Sequence, residues 1–218
     1  MADASIGGKT GFDLPEGKNL AGAFYPPRFV LADPQVLATL PQRELRGGLA
    51  EVLKHGVIAD PLLFELCAQD EAAVMQALPQ VVKRAVAVKV NVIEQDPYEH
   101  GLRAALNFGH TVGHAVELVS AYSLQHGEAV AIGMAAETRL AERLGIAPRG
   151  LAKQISTALS DLGLPIEIPE EYAKEELMNA MRVDKKKAGG VVRFALPVKI
   201  GEVRPDIAVD DLALALEE

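Results

Sequence analysis

From Pro41 to about residue 182, apolar residues recur at the three-to-four spacing of helices that bury one face. Pro41 suits the first turn of a helix carrying Leu45, Leu49, Val52 and Leu53 on one side. Further helices are predicted near 61–77, 79–95, 101–120, 127–144, 150–162 and 171–182, with a last one over 209–217. Two stretches break the period. Phe29-Val-Leu-Ala-Asp33 reads as a short strand ending at a turn. Val191-Val-Arg-Phe-Ala-Leu-Pro197 reads as another, with Val198-Lys-Ile-Gly201 turning the chain into a second strand. Residues 1–28, rich in glycine and proline, read as loop with at most a short helix. The expected fold class is mainly α with a few short strands. A Gly-rich loop, strand and linker fill 1–40, and a helical domain with a short C-terminal hairpin fills 41–218. A lone strand is marginal in water, so the strand at 29–33 is expected to find its sheet in a segment outside this chain.

Composition narrows the picture. Aromatic residues make up 5% of the chain and tryptophan is absent, so the core must be built from Ala, Leu, Val and Ile, and the Ala and Leu tilt it towards helix. An apolar share of 49% with 24% charged residues is that of a soluble globular protein. The net charge of −8 argues against broad contact with nucleic acid or an anionic membrane. A small anionic substrate in a local cationic pocket remains compatible with it. The single cysteine, Cys67, lies among Phe64, Leu66 and Ala68, and reads as a buried thiol in a reducing, cytoplasmic setting. No apolar run reaches the roughly 18 residues of a membrane span. The start, Met1-Ala-Asp-Ala-Ser5, lacks the charged and apolar regions of a signal peptide.

The candidate chemistry centres on histidine. His110 and His114 stand four apart in a helical stretch and so project from one face, a spacing that suits two imidazoles on one metal. His126 opens the next helix after a short loop that can return it beside His110, and Glu51, on an earlier apolar helix, can add a carboxylate. Two imidazoles and a carboxylate leave one coordination position open, as in catalytic zinc sites. Spacing alone leaves a metal site and two unrelated helical histidines equally open. His55 and His100, beside charged residues or glycine, read as surface histidines. Gly7-Gly-Lys-Thr10 invites a phosphate-loop reading, which fails because the required earlier glycine position holds Asp3. Backbone amides there, with Lys9, can still hold an anion or form a plain turn. Cations recur in apolar surroundings: Lys54 one turn after Glu51, Lys89 after Ala85-Val-Ala-Val88, and Arg103 one turn before Asn107. Lys89 there needs an anionic partner or a path to water. Asp184-Lys-Lys-Lys187 adds a charge run whose last lysine reads as solvated.

Taken in order, these segments resemble the 3-dehydroquinate synthases over essentially the whole chain. The resemblance is carried by Asp3-Ala-Ser-Ile-Gly-Gly-Lys-Thr10, Gly17-Lys-Asn19, Gly22-Ala-Phe-Tyr25 and Leu40-Pro-Gln-Arg-Glu-Leu45. It continues through Gly48-Leu-Ala-Glu-Val-Leu-Lys54, the run Gly101 to Ala115, His126-Gly-Glu-Ala129 and Asp184-Lys-Lys186. It implies a nucleotide-binding α/β domain followed by a helical domain for metal and substrate, of which this chain is the linker region plus the helical domain. Zinc or cobalt would be held by Glu51, His110 and His126, whereas spacing alone would choose His114 over His126. His114 would instead face the substrate and move protons. Lys54, Lys89, Arg103, Asn107 and Lys186 would hold the carboxylate and phosphate of a sugar phosphate, with Lys9 and Asn19 at the phosphate end and Lys185 nearby. Asp3, Lys9, Lys18, Val36, Leu37, Ala38 and Thr39 resemble NAD contacts.

The implied reaction turns 3-deoxy-arabino-heptulosonate 7-phosphate into 3-dehydroquinate by transient oxidation at C5, loss of phosphate, reduction and aldol closure. The main Gly-rich nucleotide loop is expected ahead of Asp3, so this chain alone is expected to bind NAD weakly. Ala4 stands where the family usually has serine, and His55 where it has tyrosine. A homodimer and a separate nucleotide-binding half are both compatible with the resemblance. The rival readings are a cyclase for sugar phosphates that lack the carboxylate, and a non-catalytic metal-binding remnant.

Overall fold

A computed structural model describes residues 1–14, 17–98, 101–185 and 191–217, with the backbone alone for 13, 17–20 and 183–185. The helices are α1 (Gln42–Ala59), α2 (Pro61–Cys67), α3 (Glu71–Gln76), α4 (Leu78–Gln95), α5 (His110–Val119), α6 (His126–Arg143), α7 (Leu151–Asp161) and α8 (Lys174–Lys185). Short 3-10 helices cover Pro34–Thr39, Leu102–Asn107 and Leu212–Leu216. Among the described residues the strands form two antiparallel hairpins, β1 (Lys9–Leu14) with β2 (Gly17–Phe24) and β3 (Arg193–Lys199) with β4 (Glu202–Ala208).

Two helices are buried on every side rather than along one stripe. Each residue of α1 from Leu49 to Ile58 is buried, and so is each residue of α6 from Ala129 to Thr138. These helices cross closely because glycine faces glycine: a Cβ on Gly127 would fall inside the Gly47 backbone. Around this pair, α5 lies against α6 and α8, α4 and α2 lie against α1, and β3 packs on α6. The β3–β4 turn is tied to α1 by the Gly201 amide donating to the Val57 carbonyl at 2.9 Å.

The structure corrects several expected boundaries. The helix foreseen over 61–77 is two helices, because Asp70 caps a new start by accepting from the Ala73 amide at 2.9 Å. The helix foreseen over 101–120 breaks at Gly109, whose φ of +79° lies outside the helical region. There the fully buried carboxylate of Glu137 accepts from the Gly109 amide at 2.7 Å and the Val112 amide at 3.0 Å, so α6 supplies the cap for α5. Residues 1–28 hold the β1–β2 hairpin in place of a loop. The strand foreseen at 29–33 is absent, since no described strand offers it an edge, and Phe29 and Leu31 stand 82% and 86% exposed. The last element is a 3-10 turn rather than an α-helix over 209–217. Cys67 is buried as expected, and burial, with the charge of Asp60, pushes its thiol up to about 12.

Candidate metal centre

Glu51 stands in the buried half of α1, with its side chain among the first residues of α5 and α6. His110 and His126 are the first residues of those two helices, so both imidazoles leave helix N-termini aimed at the same carboxylate. Two contacts fix where α6 begins. Arg43 grips Glu128 with two hydrogen bonds of 2.7 and 2.6 Å, and Glu128 accepts from the Gln125 amide at 2.8 Å in a capping box. The Gly47–Gly127 approach then brings His126 down onto Glu51.

His126 Nε2 lies 3.0 Å and His110 Nε2 3.5 Å from Glu51 Oε1. The rings of His110, His114 and His126 cluster with centroids 5.2 to 6.1 Å apart. Lys54 Nζ sits 2.5 Å from Glu51 Oε2 as an ion pair, and this buried oxygen has no hydrogen-bond partner, so it keeps a lone pair. Burial alone would raise the Glu51 carboxyl, but the charge of Lys54 and the contacts with His110 and His126 hold it well below the usual range. Burial pushes His110 down, helped by Lys54, while bonding to Glu117 and Glu51 pushes His126 up to about 9. One ligand atom from each of Glu51, His110 and His126 lies within 4.8 Å of the others. A carboxylate with an unfilled lone pair and two convergent imidazole nitrogens fit a divalent ion of the zinc type.

The two histidines, His110 and His126, line a cleft of about 580 Å³, together with Lys9, Lys54, Lys89, Arg103, Asn107 and His114. Lys89, the cation that needed a partner, is 8% exposed and donates to Asp3 at 2.6 Å. Arg103 donates to the carbonyls of Pro97 at 2.7 Å and Gly7 at 3.2 Å, and Asp96 accepts from its amide at 3.0 Å. The segment before β1 is thereby stitched to the cleft at two points. A second cavity of about 530 Å³ borders Glu51 and His126 and takes in Asp3 and Leu37. Of the stretch 36–39, Leu37 alone reaches it, and Val36, Ala38 and Thr39 are exposed. Lys186 and His100 lie outside the described residues, as do the side chains of Lys18, Asn19 and Lys185.

His55 is not the surface histidine expected of it. It is fully buried, with Nε2 3.1 Å from Asp3 Oδ1, because α1 is buried on all faces. Burial pushes its pKa down, against the pull of the Asp3 carboxylate. The sequence reading also passed over Glu117 and Glu137. Each stands in an apolar run, Ala115-Val-Glu-Leu-Val119 and Ala135-Ala-Glu137, and an acid in such a setting signals a buried partner.

The fold is that of the dehydroquinate synthase-like sugar-phosphate cyclases. The structure superposes on 2-epi-5-epi-valiolone synthase of Streptomyces hygroscopicus subsp. jinggangensis, solved with NAD+ and Zn2+ bound, with a TM-score of 0.84 and 34% identity over 98% of this chain and 60% of that one. It superposes on 2-deoxy-scyllo-inosose synthase complexed with carbaglucose-6-phosphate, NAD+ and Co2+, with a TM-score of 0.81 and 26% identity over 98% of this chain and 62% of the other. The chain belongs to the 3-dehydroquinate synthase family, whose C-terminal model matches residues 48–187 and whose N-terminal model matches 1–47. It is 46% identical to a 3-dehydroquinate synthase of Xanthomonas campestris pv. campestris, over all of this chain and 61% of that protein. With that of Synechocystis sp. it shares 48% identity, over 97% of this chain and 60% of the other. The chain thus spans about three fifths of the length of these relatives.

Proposed function

We propose that this chain is the metal- and substrate-binding part of a 3-dehydroquinate synthase, acting on 3-deoxy-arabino-heptulosonate 7-phosphate to release phosphate and form 3-dehydroquinate. One observation carries the reading: Glu51, His110 and His126 converge, and the two histidines stand on the wall of a cleft that also presents Lys9, Lys54, Lys89, Arg103, Asn107 and His114. Residues 41–218 are then the metal and substrate domain, and 1–40 a wall of the cleft between it and a nucleotide-binding segment. The exposure of Phe12, Phe24, Phe29 and Leu31 supports a covering segment there.

When bound, zinc at Glu51, His110 and His126 supplies Lewis-acid stabilisation for the hydroxyl being oxidised, and NAD supplies the transient oxidation. The protein's own residues do the rest. Lys89 and Arg103 come from separate segments and fix the two anionic ends of the substrate, with Lys9 and Lys186 at its phosphate and Asn107 donating or accepting a neutral hydrogen bond. Lys54 keeps Glu51 ionised. His114, exposed to the cleft, takes up and returns a proton. Asp3, Lys9, Lys18 and the stretch Val36, Leu37, Ala38 and Thr39 fall to the NAD side, and the cavity that Asp3 and Leu37 share with Glu51 and His126 supports that placement.

The test is metal content and ligand binding. Elemental analysis should find about one zinc per chain, and none in His110→Ala. Calorimetry with a carbocyclic phosphonate mimic of the substrate should show binding that Arg103→Ala weakens by roughly one to two powers of ten. A cyclase for carboxylate-free sugar phosphates is the second reading, favoured by the two structural neighbours. Equal affinity for mimics with and without the carboxylate would select it.

A further inference from the structure

The two metal-facing imidazoles of the cluster share one arrangement. His110 turns Nε2 to Glu51 and has Nδ1 3.1 Å from the carbonyl of Phe108. That carbonyl can only accept, so Nδ1 carries the proton and Nε2 keeps its lone pair for the metal. His126 likewise turns Nε2 to Glu51, and its Nδ1 faces a second acceptor, Oε2 of Glu117, at 3.7 Å. Glu117 belongs to α5 and is 5% exposed, whereas the His126 side chain is 45% exposed on the first turn of α6. A buried acceptor is thus set against a half-exposed ring. The distance is that of an ion pair, roughly 0.5 Å beyond the usual N–H···O range.

We propose that Glu117 is the positioning residue for His126: its carboxylate accepts from Nδ1–H, keeps the proton on that nitrogen, and so presents Nε2 to the metal shared with Glu51 and His110. The inference rests on the metal site proposed above. A carboxylate in this place also raises the basicity of the ring it holds, and so strengthens the ligand. His114, Glu117 and His126 can also be grouped within 4.8 Å as donors for a second ion. That alternative asks one imidazole to give both nitrogens at once. A neutral ring has a single lone pair, already used at Nε2, so the second site would need the ring as an anion.

The experiment measures zinc and cobalt affinity by chelator competition on the whole chain for wild type, Glu117→Leu, Glu117→Gln and His110→Ala. Circular dichroism serves as the fold control, and ¹⁵N imidazole spectra of the zinc-loaded protein report the tautomer of His126. Glu117→Leu should weaken zinc roughly 10- to 100-fold. Glu117→Gln keeps the shape and an accepting oxygen, so it should fold, lose less affinity and retain the Nδ1–H tautomer. Should the leucine variant not fold, the glutamine variant and the wild-type spectrum decide the matter alone. Wild-type affinity in both Glu117 variants, or His126 bound with its Nε2 protonated, overturns the proposal. So do two cobalt ions per chain with one lost in Glu117→Gln, since Glu117 would then be a ligand. Metal content indifferent to His110→Ala is the separate result that brings down the metal-site reading, and this inference with it.

Discussion

Glu51 and Asp3 border the same cleft, and each carboxylate holds a lysine and a histidine at nearly the same distances. Glu51 has Lys54 at 2.5 Å and His126 at 3.0 Å, and Asp3 has Lys89 at 2.6 Å and His55 at 3.1 Å. Their roles differ because of what else converges. At Asp3 a single oxygen serves both donors, and the other nitrogen of His55 is buried with no partner, so only one imidazole nitrogen reaches the carboxylate. Burial would raise the Asp3 carboxyl, but the bond from His55 and the charges of Lys54 and Lys89 hold it below the usual range. At Glu51 a second imidazole arrives, and one oxygen keeps a lone pair. The same inventory of acid, ammonium and imidazole makes a tie between segments in one place and the proposed ligand set in the other. The number of converging nitrogens decides which.

The hardest test of this contrast removes Glu51. Glu51→Ala should abolish metal binding and leave the buried ammonium of Lys54 unpaired, at a cost of about 3–5 kcal/mol in metal-free urea unfolding. Asp3→Ala should spare the metal while lowering stability. If it costs zinc as well, the two clusters act as one.

A titration sharpens the comparison next. In the metal-free chain His126 stays protonated up to about 9, held by Glu117 and Glu51, and a metal must displace that proton. Zinc affinity should therefore rise with pH from neutrality to about 9, by up to about tenfold per unit less what solvent screening removes. The sign for stability is opposite. The raised His126 pKa stabilises the metal-free fold below the unfolded value of about 6.5, and that contribution is lost as pH rises through about 9. Asp3, whose pKa is depressed, contributes above its unfolded value of about 3.9 and loses that contribution as pH falls through its folded one. A flat zinc affinity between pH 7 and 9 would remove His126 from the ligand set.

Asp3→Asn is a gentler change, because the amide oxygen can still accept from Lys89 and His55. It should cost about 1–2 kcal/mol by denaturant unfolding, with zinc content unchanged. His114→Ala should do least, leaving zinc affinity within about twofold of wild type, since the outer-shell losses of roughly 10-fold or more belong to residues that orient a ligand. A loss of metal there would restore the pair that helical spacing alone suggests.

Helix positions were legible where apolar periodicity ran long: α4, α6 and α7 lie within a residue of their expected ends. The breaks were harder. Asp70 was readable as a cap, but the start of α5 depends on Glu137, which comes from another helix. The hairpin over 9–24 escaped because its glycines and prolines read as loop, and its large apolar residues stay exposed. For the site, the order of the motifs named Glu51, His110 and His126, while spacing taken alone preferred His114. Spacing sees one helix, and the choice between His114 and His126 depends on where a second helix begins.

The sequence by itself determined the helical class, the burial of Cys67 and the need of Lys89 for an anion, because each follows from local pattern or from the cost of desolvating a charge. Tertiary structure decided that His55 is buried, that Asp3 is the anion for Lys89, and that Glu117 stands behind His126. Those facts depend on the close crossing of α1 and α6 at Gly47 and Gly127 and on the cap that α6 lends to α5. Contacts between residues far apart in the chain are set by how helices pack, which no local periodicity encodes.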